Sequence, residues 1–103
     1  MAKFLLLYEG GSMPSEEERP AVMQAWEGWF SQIGGAVVDP GNPFTPESKR
    51  VGADGSISGG AGAGSGYSIL EADSLDTAAD LAKGCPVLRG GASVAVYEIF
   101  DVM

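Results

Sequence analysis

The 103-residue chain contains no histidine and a single cysteine, Cys85. Without histidine it lacks the commonest general base at neutral pH and the commonest transition-metal ligand. One cysteine excludes an internal disulfide and a cysteine-cluster zinc site. Basic residues are few: six Lys and Arg stand against 14 Asp and Glu, a formal net charge of −8. Nucleic acids and anionic membranes are bound by neutralising phosphate, so neither is an expected partner. Long apolar runs are missing too. The longest, Phe4 to Tyr8, is far below the ~20 residues of a membrane-spanning helix, and it is too short for a secretory signal. A cytoplasmic address is the resulting expectation. At this length one domain, 1–103, is expected, since domains usually run to ~100–200 residues. No spacing of oxygen ligands resembles a calcium loop, and no cofactor is expected.

What is present is a clear succession of elements. Phe4-Leu5-Leu6-Leu7-Tyr8, stopped by Gly10-Gly11, predicts a strand buried on both faces. Ser15 followed by Glu18 is a capping-box pair, with Glu16, Glu17 and Glu18 suited to a helix N-terminus. Pro20 lies too deep for an ideal first turn, so a separate tight turn is expected before the regular helix. Val22, Trp26, Trp29 and Ile33, widened by Met23 and Phe30, recur at helical spacing up to the Gly34-Gly35 stop. Gly28 inside this helix costs ~1 kcal/mol relative to Ala, which suggests a close backbone approach there, with chance as the alternative.

Ala36–Asp39 predicts a short strand closed by Pro40-Gly41, and residues 42–47 an irregular loop. Lys49–Val51 and Ser56–Ser58 flank Ala53-Asp54-Gly55 as a polar hairpin near an edge. Residues 59–66 hold five glycines in eight positions, predicting a flexible loop or mobile lid. Tyr67–Ala72 reads as a strand, Ser74 as the N-cap of a helix over Leu75–Lys83, and Val94–Phe100 as a last strand. The order predicts an α+β, ferredoxin-like sandwich with an extra hairpin, both helices covering one face of a mostly antiparallel sheet.

The other sheet face should then be polar, and the alternation contradicts this. Phe4, Leu6 and Tyr8 oppose Leu5 and Leu7; Tyr67 and Ile69 oppose Leu70 and Ala72; Val94, Val96 and Phe100 oppose Ala95, Tyr97 and Ile99. Neither set is hydrophilic. A homodimer packed sheet to sheet is the expected solution. The alternative is a monomer whose loops, 40–48 and 58–66, fold across the sheet.

Tyr67–Asp76, Ala82–Leu88 with its Cys85-Pro86, and Gly90–Glu98 together resemble the C-terminal half of the YCII-related (DGPF-like) family. The first strand and the helix bearing Trp26 and Trp29 extend the resemblance over nearly the whole chain. It implies a ferredoxin-like protomer in a dimeric α/β barrel. The Asp-Gly-Pro-Phe tetrapeptide is missing, and the glycine-rich run stands in its place. For the family's enzyme-like members the resemblance implies an acid–base pair, a His on the first helix and an Asp before a Pro after the second. Here Cys85 precedes Pro86 and no His exists, so that dyad does not carry over.

Several residues remain as candidates. Tyr8, Met23, Trp26, Trp29 and Tyr67 form either core or the walls of an apolar ligand pocket. Asp39, ending a strand before a rigid turn, is the preferred carboxylate among Glu9, Asp39, Glu71 and Glu98 for a raised pKa and a base's role. Tyr8 and Tyr67 could donate hydrogen bonds to a bound carbonyl. Cys85 follows a helix C-terminus, where the dipole disfavours a thiolate, and reads as a packed residue. The glycine run lacks the Gly-Lys-Ser/Thr and the following helix of a phosphate loop. The favoured reading is a homodimer binding a small apolar or aromatic molecule without dyad catalysis. Two others stand beside it: a cofactor-independent enzyme resembling the monooxygenases or lactone isomerases of this architecture, and a regulatory or assembly module docking through a sheet edge.

Overall fold

In the computed structural model, which describes residues 1–11 and 14–100, the apolar stretch around Phe4 becomes β1, Ala2–Glu9. The Ser15–Glu18 pair closes reciprocally: the Ser15 hydroxyl and amide donate to the Glu18 carboxylate at 2.8 and 3.2 Å, and the Glu18 amide donates back to Ser15 Oγ at 3.3 Å. This turn precedes α1, Arg19–Ile33, so Pro20 falls in the first helical turn, where its missing N–H costs nothing. Gly34, at φ 49°, ends the helix, and β2 follows at Val37–Asp39.

The hairpin forms as β3, Lys49–Val51, and β4, Ile57–Gly59, a two-stranded sheet of its own. Next come β5, Gly64–Ala72, and α2, Leu75–Ala82, whose N-cap Ser74 accepts from the Thr77 amide. The last strand, β6, is Ser93–Ile99, leaving Phe100 outside it and exposed.

The main sheet has the order β2-β5-β1-β6 with every pairing antiparallel. Setting the hairpin aside, this is the βαββαβ arrangement of a ferredoxin-like fold. Both helices lie on one face. Phe4, Leu6 and Tyr8 of β1, Leu70 and Ala72 of β5, and Ala78 and Ala82 of α2 are buried together with Trp29. The indole N–H of Trp29 donates to the Leu81 carbonyl at 3.1 Å and ties α1 to α2. Gly84 packs closely against that ring, where a Cβ would sit 3.2 Å from it.

Two expectations about glycine are corrected. Gly28 is exposed and nothing lies within 4 Å of where its Cβ would be, so no close approach explains it. The run 59–66 is not a loose lid: Gly59 ends β4 and Gly64–Gly66 open β5. Between them, the Gly60 amide bonds the Ser48 carbonyl at 3.0 Å and the Gly10 amide bonds the Ala63 carbonyl at 2.8 Å. The Ala61 amide donates to Ser48 Oγ at 2.9 Å, and Arg50 donates to the Ala61 carbonyl at 2.8 Å. Backbone pairing has claimed a segment that is too poor in side chains to make a core. Gly60 and Gly62 adopt φ of 82° and 110°, a region that other residues rarely enter.

Candidate functional site

Three of the expected pocket residues, Tyr8, Trp26 and Trp29, come together on the helix-covered face. The Tyr8 and Trp26 rings meet edge to face at 5.4 Å, and the two indoles at 5.8 Å. Phe30 completes the group at 5.7 Å from Trp26 and 5.1 Å from Trp29. Edge-to-face contact of this kind is preferred by aromatic quadrupoles and fills space.

Beneath the rings runs a buried polar chain. The Tyr8 hydroxyl donates to Ser68 Oγ at 2.6 Å, and Ser68 donates to the Pro40 carbonyl at 2.7 Å. Period two places Ser68 on this face, between Gly66 and Leu70 on β5. Cys85 lies beside Tyr8, close enough for each to influence the other's ionisation. Burial pushes the Tyr8 phenol well above its ordinary range, and the Ser68 hydrogen bond opposes this only in part. Burial also pushes the Cys85 thiol up. Both groups are therefore neutral at pH 7, so Tyr8 serves as a donor and Cys85 is no thiolate nucleophile.

The remaining candidates lie elsewhere. Met23 is 61% exposed on the surface of α1. Asp39 accepts from the Gly41 amide at 2.8 Å, so its carboxylate closes the Pro40-Gly41 turn. The Tyr67 side chain is on the opposite sheet face from Tyr8: it pairs with Leu7, while Tyr8 pairs with Gly66. The register assembles that opposite face as Leu5 beside Ile69 and Tyr97, and Leu7 beside Tyr67 and Ala95. No helix among the described residues covers it, and Tyr97, Ile99 and Val38 are exposed there.

At one end this face runs into a groove of about 810 Å³. Its floor is Leu7, Glu9 and Gly64; one wall is the loop Pro43–Ser48, and the other is Arg50 with Ala61–Ala63. Phe44 stacks on Tyr67 at 6.0 Å and stiffens the first wall. The loop is held by backbone pairing to the start of β5, through Phe44 to Ser65 at 2.9 Å and Tyr67 to Asn42 at 3.2 Å. Gly41, at φ 73°, permits this approach, since a Cβ there would collide with the Tyr67 carbonyl. In the sequence Phe44 reads as part of an irregular segment. Nothing local to Pro43-Phe44 signals its partner 23 positions away. A smaller groove, about 270 Å³, lies between α1 and α2 at Trp29, Ile33 and Leu81.

Among the described residues, no three His, Cys, Asp or Glu side chains are grouped to hold a metal ion. None of the helices among those residues is long and apolar enough to cross a membrane. The fold is similar to that of 5-chloro-2-hydroxyhydroquinone dehydrochlorinase (TftG) from Burkholderia phenoliruptrix AC1100, solved in complex with 2,5-dihydroxybenzoquinone. The TM-score is 0.56 at 17% identity, covering 94% of this chain and 93% of that one. No curated protein matches the sequence. Residues 6–103 match the YCII-related domain family.

Proposed function

Because this chain belongs to the YCII-related domain family, we propose that it works as a homodimer, paired through the open sheet face, and binds a small planar aromatic molecule in the groove at that face's end. One observation carries the reading: no helix among the described residues covers the apolar surface of Leu5, Ile69, Ala95 and Tyr97, and through Leu7 it runs into the groove, where Phe44 stacks on Tyr67. The single chain exposes 7186 Å², where a compact monomer of 10.6 kDa exposes about 5,500 Å². The excess, roughly 1,700 Å², is about twice what one partner contributes to a stable interface.

The groove lies within the size range of ligand pockets, about 300–1,000 Å³, and its lining mixes apolar Leu7, Phe44 and the prolines with the charged Glu9, Glu47 and Arg50. The quinone bound by the structural neighbour indicates the kind of ring to test. Catalysis by a His–Asp pair is not part of the proposal, since the chain has no His and Cys85 stands before Pro86.

Two measurements test this. Sedimentation equilibrium should give a dimer, and Ile69→Lys should give a folded monomer, because the new ammonium would be buried in the interface without a partner. A monomeric wild type would refute the pairing. Calorimetric titration with 2,5-dihydroxybenzoquinone and with substituted benzoates should show binding that Phe44→Ala weakens by about tenfold, the loss of ~1.4 kcal/mol of aromatic contact. If neither ligand binds, or if Phe44→Ala binds them equally well, the groove is not the site.

A further inference from the structure

Arg50 is the one cation among the described residues that line the groove, and its charge is not spent within the chain. Side chains alternate in direction along a strand, so of Lys49–Val51 only Arg50 turns into the groove. One guanidinium nitrogen donates to the Ala61 carbonyl at 2.8 Å and lies 3.5 Å from where a Cβ on Gly62 would be. That tether uses one of the five N–H donors of the group. Glu9 and Glu47 line the same groove, yet Arg50 makes no ion pair with either; the ion pair between described residues is Lys83 with Asp80 at 3.1 Å.

A tie to one carbonyl needs only a single donor, which a lysine could supply, whereas a guanidinium is a planar fork that takes both oxygens of a carboxylate. Fixing so long a side chain costs rotamer freedom, and the Ala61 bond meets that cost in advance, so less ordering is left for an incoming anion. The two carboxylates set the other half of the specificity. Two of them against one guanidinium give the lining a net charge of −1, in a chain of −8. A simple anion is repelled overall, and an anionic ligand gains only if it also brings donors for the carboxylates. Phe44, stiffened by its stack on Tyr67, offers a flat wall between these groups.

We propose that the groove selects a hydroxylated aromatic acid: the ring lies against Phe44, its carboxylate takes the free N–H groups of Arg50, and a ring hydroxyl donates to Glu9 or Glu47. This inference rests on the aromatic-ligand reading above and adds to it the charge and the substituents of the ring.

Calorimetric titration of the full chain with 3- and 4-hydroxybenzoate, with the neutral amide of each, and with benzoate tests the assignment. The better hydroxybenzoate should bind about tenfold more tightly than its amide, the worth of a charge-assisted hydrogen bond. Benzoate, which lacks the hydroxyl, should bind several-fold more weakly than that hydroxybenzoate. Arg50→Gln should close the gap between acid and amide, and Arg50→Lys, which keeps the charge without the fork, should restore part of it. Equal binding of acid and amide by the wild type, or a gap that survives Arg50→Gln, would overturn the role of Arg50; if Phe44→Ala still weakens both ligands, the aromatic site stands without it. Benzoate binding as tightly as both hydroxybenzoates would overturn the role of the carboxylates. If none of the rings binds, both readings fall. A measurement on the unaltered protein is independent of whether the variants fold: added salt should shrink the acid's advantage and leave the amide's affinity unchanged. An advantage that salt does not touch would overturn the pairing with Arg50.

Discussion

The two faces of the main sheet are made of the same kinds of residue and have opposite fates. Phe4, Leu6 and Leu70 point to the helices and are fully buried; Leu5, Leu7 and Ile69, their immediate neighbours in the chain, are only half-buried. On the covered face every buried polar side-chain atom among the described residues finds a partner, and Ser68 is satisfied on both sides. The open face places Lys3 beside Glu71 at one end and Glu9 beside Ser93 at the other, no helix among the described residues lies over it, and the Phe44 loop reaches it at Tyr67. Apolar character in a strand therefore reports that a face will be buried, but not by what. The covering layer comes from this chain in one case and, in the proposal above, from another in the second.

The sharpest way to break this comparison is to truncate one residue on each face. Phe4→Ala should cost about 3–5 kcal/mol in urea unfolding, the usual penalty for emptying a packed aromatic site, and should do so at every protein concentration. Leu5→Ala should cost under about 1 kcal/mol in dilute protein, because half its surface is already wet, with a larger cost emerging once the chains pair. Equal, concentration-independent costs would show that the faces do not differ.

A smaller effect separates the links of the buried polar chain. Ser68→Ala strands both the Tyr8 hydroxyl and the Pro40 carbonyl and should cost about 1–3 kcal/mol. Tyr8→Phe leaves Ser68 bonded to Pro40 and should cost about 0.5–1.5 kcal/mol. The same pair of groups sets an alkaline limit. Tyr8 and Cys85 have folded pKa values raised by burial, so the unfolded chain ionises first. Stability from this source is complete below the unfolded values, about 8.5 for the thiol and about 10 for the phenol, and falls as pH rises past them. Urea titrations between neutral and strongly alkaline pH should show that decline, and Tyr8→Phe should make it shallower above about pH 10. An unchanged slope in that variant would mean that Tyr8 ionises as readily folded as unfolded.

The sheet and both helices were legible in the sequence because their signals are local: period-two and period-3.6 apolar patterns, Ser74 as a cap, Pro20 in a first turn, Asp54-Gly55 in a hairpin. The double-faced greasiness of β1, β5 and β6 also identified the open face. What stayed hidden depends on pairing at a distance. The glycine run reads as a loop until Ser48, Arg50 and Gly10 supply its hydrogen bonds. Tyr8 and Tyr67 both read as pocket residues until the register between β1 and β5 sends them to opposite faces. Phe44 looks like loop filler because the ring it stacks on belongs to another strand. The Tyr8–Ser68–Pro40 chain joins three elements, and no spacing in the sequence announces it.

The smallest predicted effect concerns Gly28, the residue for which local reasoning suggested a structural purpose and the structure supplies none. It lies within α1, is exposed, and has open space where a Cβ would be. Gly28→Ala should therefore stabilise the chain by about 0.5–1 kcal/mol, because alanine loses less backbone freedom on folding and no contact is crowded. Gly41→Ala is the matched control. At φ 73°, its added Cβ would press on the Tyr67 carbonyl, so the turn that Asp39 closes would have to open. Thermal unfolding of the two variants beside the wild type should move Tm in opposite directions. A Gly28→Ala variant that loses stability would mean that something beyond the described residues approaches α1 on that side.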